Sequence, residues 1–185
     1  MNGSRFCLAV KPCMVVALWL FGYANPLYAD TTAELFAAIN ARLSYMQDVA
    51  TYKALHELPV EDLPRETVVL QESKLAAAAA GLQADSVEAF FLAQIDIAKI
   101  IQYRHRAALQ AGLEIQETPD LELVIRPALD ALGVAITQLL AQRIAAAGQM
   151  TEENWDQFND TVTAAYLEAA DKRRLFQSLL SVTAQ

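Results

Sequence analysis

Cysteine is confined to Cys7 and Cys13, next to the N-terminus. The first 29 residues carry Arg5 and Lys11, then a short apolar run over residues 14–22, then small residues ending in Tyr28-Ala29. That order is the one of a cleavable secretory signal peptide. The apolar run is short for a bilayer span, so a retained anchor is the alternative reading. Cleavage is expected after Ala29, with Ala24 as the second choice. The mature chain then has no thiol, which excludes disulfides and cysteine nucleophiles and leaves an exported protein dependent on its core. Histidine is scarce as well. His56 and His105 fall in no metal-ligand spacing of the His-Glu-x-x-His kind, and both are expected at the surface. Basic residues are few, fourteen against twenty-two acidic ones, and the signal peptide takes two of them. The mature charge is therefore −10. Nucleic-acid binders carry basic patches and anionic membranes attract basic segments; a chain this acidic fits neither.

Glycine and proline number six each and fall mostly between apolar-periodic stretches, as breakers do. No stretch alternates as a strand. The pattern gives an all-α bundle of about five to six helices in one domain over residues 30–185, with a C-terminal helical extension over about 119–182. A first long helix is expected over about 32–57, ended by Pro59. A second covers about 63–80, with Asp62 as N-cap and Gly81 as stop. A third covers about 86–111, opened by Asp85 and Glu88 at capping-box spacing and closed by Gly112. A fourth covers about 121–147 with Pro127 in its first turns. A last helical stretch, with one break, covers about 151–181.

Charge appears where a core is expected. Leu35, Ile39, Arg42, Met46, Val49 and Lys53 follow spacings of four and three, the seam by which a helix packs on its partners. Two of the six are cations, eleven residues and so roughly 16 Å apart on one face. Phe91, Ile95, Ala98 and Gln102 form a similar seam ending in an amide, and Glu66 leads a third, Val69, Ser73, Ala76 and Ala80. Long cations can snorkel from a seam edge, and Gln102 could cap a neighbouring backbone. An unpaired buried cation is very unfavourable. Three such helices together point to an anion-binding pocket inside the bundle, a construction that helix bundles use.

The residues Arg42, Lys53, Asp62, Arg65 and Glu66, with Gln102 thirty-six positions after Glu66, resemble the active-site set of the all-helical AroQ class of chorismate mutases. The words Asp48-Val49-Ala50, Tyr52-Lys53, Leu58-Pro59-Val60-Glu61-Asp62 and Gln102-Tyr103 are similar to those of its exported gamma subclass. The resemblance starts near residue 32 and is carried by residues 42–66; the C-terminal part contributes little to it. It implies chorismate as substrate, prephenate as product, no cofactor, a homodimer, and a periplasmic or secreted location. It also implies roles. Arg42 binds a substrate carboxylate, Lys53 bridges a carboxylate and the ether oxygen, and Gln102 donates to that oxygen. Glu66 accepts from the ring hydroxyl near the Asp62 backbone, and Arg65 supports the carboxylate end. The chain departs from the subclass twice. Ala98 stands where relatives often carry a hydroxyl. The arginine expected from the fourth helix is replaced by Ala135, leaving Arg126 as candidate, or Arg143 under a shifted register.

Rearrangement of chorismate is unimolecular and pericyclic. A catalyst must hold the compact conformer and stabilise charge on the breaking ether oxygen. Two other readings stay open at this level: an isochorismate-pyruvate lyase of the same fold, and a non-catalytic helical binding protein whose cations serve a partner interface.

Overall fold

The computed structural model describes residues 26–185, with side chains from Thr31 onward. Residues 1–25 of the expected signal peptide, with Cys7 and Cys13, lie outside the described residues. Among the described residues seven α-helices follow one another: α1 (Pro26–Ser44), α2 (Met46–Leu55), α3 (Leu63–Ala79), α4 (Ala84–Gln110), α5 (Arg126–Ala147), α6 (Trp155–Thr161) and α7 (Ala169–Leu180). A π turn, Leu121–Ile125, precedes α5, and a 3-10 turn, Glu152–Asn154, precedes α6. Among the described residues the only strand-like pairing is an isolated bridge between Leu82 and Ala184.

The expected first helix is α1 and α2 together, nearly continuous. At Tyr45 the ladder stretches, its N–H reaching the Ala41 carbonyl at 3.4 Å. Ser44 donates its hydroxyl to the Asn40 carbonyl at 2.8 Å, the local back-bonding that bends helices. The helix stops where Leu58 N–H turns back to the Lys53 carbonyl at 2.8 Å, with Glu57 at φ 56° and Pro59 following. Asp62 caps α3 by accepting from Arg65 N–H at 3.2 Å. Gly81 and Gly112 end α3 and α4 at φ 77° and 101°, the left-handed geometry that glycine adopts at no steric cost.

The capping box expected at α4 does not form. The helix begins at Ala84 after Gln83, which makes no side-chain cap, so Asp85 lies inside the first turn rather than before it. Asp85 and Glu88 instead both hold Lys74 of α3, at 3.0 and 2.8 Å. On α3 the buried positions are Ser73 and Ala77, not the full stripe to Ala80. His105 is buried too, against expectation for a surface histidine. It sits four residues after Ile101 on the face of α4 that meets α2, its Nε2 2.8 Å from Thr51 Oγ1. Its ring lies edge-on to Tyr166, and burial holds its pKa below the ordinary value. His56 is exposed and stacks on Tyr52.

Helix α4 is the axis of the fold, packing on α2, α3 and α7, while α5 lies against α1 and α3. One apolar cluster joins Leu35, Phe36 and Ile39 of α1 to Phe90, Ile97 and Ile101 of α4, Ile136 and Leu140 of α5, and Phe158 and Phe176. At its C-terminal end Phe158 meets Phe36 edge-on at 5.2 Å and Phe176 at 5.1 Å. The chain end is tied back to the α3–α4 turn, with Gln83 N–H on the Thr183 carbonyl at 2.9 Å and Gln185 N–H on the Gly81 carbonyl at 3.0 Å. The segment beyond Gly112 thus completes the same core. Helix α6 is short and held mainly through Phe158. Phe158→Ala is expected to lower unfolding free energy by about 3–5 kcal/mol, measured by urea denaturation.

Candidate active site

All six seam residues of α1 and α2 are buried, the two cations among them: Arg42 and Lys53 are each 6% exposed. Between α2, α3 and the start of α5 opens a cleft of about 500 Å³ empty volume, walled by Met46, Val49, Lys53, Val60, Asp62, Arg65, Glu66, Leu121, Arg126 and Leu129.

Each wall places its charge by a local device. On α2, Lys53 donates to the Val60 carbonyl at 2.6 Å, leaving two ammonium hydrogens for a ligand. Burial lowers its pKa, an effect that Asp62 opposes and Arg126 reinforces. On α3, the Asp62 cap fixes the first turn, so Arg65 and Glu66 face the cleft. Glu66 Oε1 reaches back to Asp62 N–H at 3.4 Å. At α5, Asp120 accepts from Glu122 and Leu123 N–H at 2.8 and 2.7 Å and starts the π turn. Leu121 and Arg126 are five residues apart. The wider π turn brings positions i and i+5 together, and both reach the cleft wall.

Arg42 lies deeper. Its guanidinium carbon is 5.7 Å from the centroid of the Phe91 ring, a cation–π contact. Its Nε and one terminal nitrogen are buried without a hydrogen-bond partner. Burial, then the charge of Arg65, push its pKa down to about 10, partly offset by Asp130. Gln102 donates from Nε2 to the Ala98 carbonyl at 3.3 Å and towards Met46 Sδ at 3.6 Å. One amide hydrogen is anchored and the other faces sulfur, a weak acceptor. Its Oε1 is buried and unpartnered. Ala98 therefore contributes its backbone carbonyl, as a hold on Gln102.

The cations nearer the mouth are paired. Arg126 holds Asp62 at 2.6 Å and Glu122 at 2.7 Å, Arg65 holds Asp130, and Lys99 holds Glu66 at 3.1 Å. Asp62 and Arg65 of the α3 cap and first turn thus cross-pair with Arg126 and Asp130 of α5. The sequence reading missed Asp130 and Lys99. Their signal was their spacing, Asp130 four residues after Arg126 and Lys99 three before Gln102, each one turn from a site residue on the same helix. Arg143 is not in the cleft. It is buried elsewhere, donating to Thr32 Oγ1 at 3.0 Å and to the Gly148 carbonyl at 2.8 Å. Among the described residues no group of three or more His, Cys, Asp or Glu side chains is placed to hold a metal ion.

An all-helical chain whose cleft is walled by the buried Lys53 and the paired Arg65 and Arg126 presents a cationic site for a small anion. The profile of chorismate mutase type II matches residues 29–103. A monofunctional chorismate mutase of Enterobacter agglomerans is 35% identical over 164 residues, 88% of this chain and 90% of the relative. The secreted chorismate mutase of Yersinia pestis is 33% identical over 144 residues, 78% of this chain and 77% of that one. A crystal structure of that Yersinia protein superposes with a TM-score of 0.76 at 31% identity, covering 82% of this chain and 98% of that chain. The chorismate mutase of Burkholderia thailandensis gives a TM-score of 0.66 at 26% identity, over 80% and 96%. The chain belongs to the chorismate mutase family.

A buried cation with unused donors destabilises the empty protein. An unfolded arginine keeps its proton to high pH, whereas folded Arg42 loses it near pH 10. The penalty is therefore full below that pH and shrinks above it. Arg42→Met is expected to raise the unfolding free energy at neutral pH by roughly 1–3 kcal/mol. Urea denaturation measures it; a destabilised variant would mean that the guanidinium is already satisfied.

Proposed function

We propose that the cleft between α2, α3 and α5 binds chorismate and converts it to prephenate, by holding the compact conformer and stabilising charge on the breaking ether oxygen. The observation that carries this is Lys53, buried and held only by the neutral Val60 carbonyl at 2.6 Å, on one cleft wall with Arg65 and Arg126; Arg42, a buried guanidinium with two unpartnered nitrogens, lies near enough for the charge of Arg65 to act on it. A guanidinium fork suits a planar carboxylate, so Arg42 takes one substrate carboxylate. Lys53, with two free hydrogens, bridges a carboxylate and the ether oxygen. Gln102 turns its second amide hydrogen from Met46 Sδ to that oxygen. Glu66 accepts from the ring hydroxyl beside the Asp62 backbone, and Arg65 and Arg126 complete the carboxylate end. The reaction moves no proton and needs no nucleophile or cofactor. The donors act by position and field in a site from which water is excluded.

The test is turnover of chorismate by the chain from Asp30 onward, with isochorismate alongside. Prephenate formation supports the reading; pyruvate release would mark a lyase, and an inert protein would mark a binding module. Lys53→Ala and Gln102→Ala are each expected to lose roughly 10²–10³ in kcat, and a Lys53→Ala enzyme of normal activity would remove Lys53 from the site.

The pH profile separates the two donors. An amide donates at any pH, so the rate stays level between mildly acidic and mildly alkaline conditions. Burial lowers the Lys53 pKa from 10.5, so kcat/KM, which reports the free enzyme, declines on the alkaline side before a free lysine would titrate. A steep loss across neutrality with the fold intact would count against Gln102.

The proposal extends to an exported homodimer. The Yersinia relative is a secreted protein, and the N-terminal residues follow signal-peptide order. On α5 and its π turn Leu123, Val124 and Val134 are exposed, apolar area that a second copy would cover. Intact mass and sedimentation of the exported protein check both, with a chain starting at Asp30 that sediments as a pair; a monomer retaining residues 1–29 would overturn both.

A further inference from the structure

We propose that Lys99 is a positioning residue for the reaction: it holds Glu66 in place and keeps it off Lys53. The inference rests on the substrate-contacting role given to Glu66 above. Lys99 is not part of the cleft wall. It stands behind it on α4, its Nζ 3.1 Å from Glu66 Oε2 and 3.7 Å from Asp96 Oδ1. Asp96 in turn accepts from Arg174 of α7 at 2.6 Å. The Glu66 carboxylate is thus the cleft end of a chain of alternating charges anchored on three helices.

Glu66 needs such an anchor because of what surrounds it. Its other oxygen has only the long 3.4 Å contact to Asp62 N–H. The groups facing it are Lys53 from α2, Asp62 and Arg65 at its own helix start, Lys99 and Asp96 from α4, and Arg126 from α5. Arg65 and Arg126 are already held by Asp130 and Asp62. Lys53 is not held by any carboxylate in the cleft; its partner is the neutral Val60 carbonyl. A glutamate side chain has three rotatable bonds. Released from Lys99, Glu66 can swing towards Lys53, the cation of the same cleft wall that no carboxylate holds, and closing onto it would remove the hydroxyl acceptor and mask the ether-oxygen donor together. Lys99 also sits three residues before Gln102, one turn along the same helix. One rigid element therefore sets both the amide donor and the grip on the hydroxyl acceptor, the kind of rigid support that positions a site.

The experiment is a double-mutant cycle on the mature enzyme. It measures kcat, KM for chorismate and the unfolding midpoint for wild type, Lys99→Met, Lys99→Arg, Glu66→Gln and the Lys99→Met/Glu66→Gln double variant. Lys99→Met is expected to lose roughly ten- to hundredfold in kcat/KM, with KM raised as well as kcat lowered, because misplacement by about 1 Å has effects of that size. Lys99→Arg restores activity to within about threefold of wild type, since it keeps the charge and the donor. In the Glu66→Gln background the Lys99→Met change has no further effect, because there is no carboxylate left to hold or to stray. A general structural role would instead lower the unfolding midpoint and reduce activity equally in both backgrounds, and that result overturns the proposal. So does an unimpaired Lys99→Met enzyme beside an impaired Glu66→Gln enzyme, which leaves the Glu66 assignment standing. A fully active Glu66→Gln enzyme overturns the Glu66 assignment and this inference with it.

Discussion

Two cations are buried on one helical seam with no carboxylate at hydrogen-bonding distance. Arg42 and Lys53 occupy positions where α1 and α2 meet the rest of the bundle, and burial disfavours the charge of both. The surroundings tolerate them through weak, neutral partners: the face of Phe91 for Arg42 and one backbone carbonyl for Lys53. A full complement of protein anions would leave neither cation with a free donor. The polar satisfaction that most buried groups find within the protein is here incomplete, and stability is drawn from elsewhere, from the apolar cluster of α1, α4 and α5 and from the aromatic group around Phe158.

The remaining charges of the cleft divide by depth. Arg65 and Arg126 on the wall, and Lys99 behind it, are more exposed, and each is held by a carboxylate of a neighbouring element, Arg126 and Lys99 also by one a turn away on their own stretch of chain. The pairs join α3 to α5 and α3 to α4, so the ion pairs that orient the rim also fix the spacing of the helices that form the walls. The Asp62 cap belongs to both systems. One of its oxygens starts α3 and the other holds Arg126.

Much of this was legible in the sequence because period and chemistry disagreed. Arg42 and Lys53 stood out by interrupting an apolar seam, and Gln102 by ending another. Gly81, Gly112, Asp62 and Pro59 marked helix ends through backbone preferences that act locally. The misreadings have equally local causes. Asp85 and Glu88 had capping-box spacing, but the helix began earlier and Lys74 on another helix captured both carboxylates. His105 was expected outside because a lone histidine gives no period of its own, whereas its register with Ile101 turns it towards Thr51. The π turn at Leu121–Ile125 has no sequence signature in single residues, and it is the π turn that brings Arg126, rather than Arg143, to the wall. Lys99 and Asp130 were invisible as site residues because their roles depend on which helix lies opposite.

The crossed pairs of Asp62 with Arg126 and Arg65 with Asp130 bear on how affinity is distributed over a ligand. A rim arginine that turns to a ligand carboxylate gives up an existing partner, exchanging one partly solvated ion pair, worth about 0–1 kcal/mol, for another. The net gain at the rim is small. Arg42, in turning to a carboxylate, would give up only a ring face. On the proposed reading, grip concentrates on the buried cations and selectivity for orientation on the paired ones, so a molecule carrying a single carboxylate would be held firmly by one end and left to swing by the other.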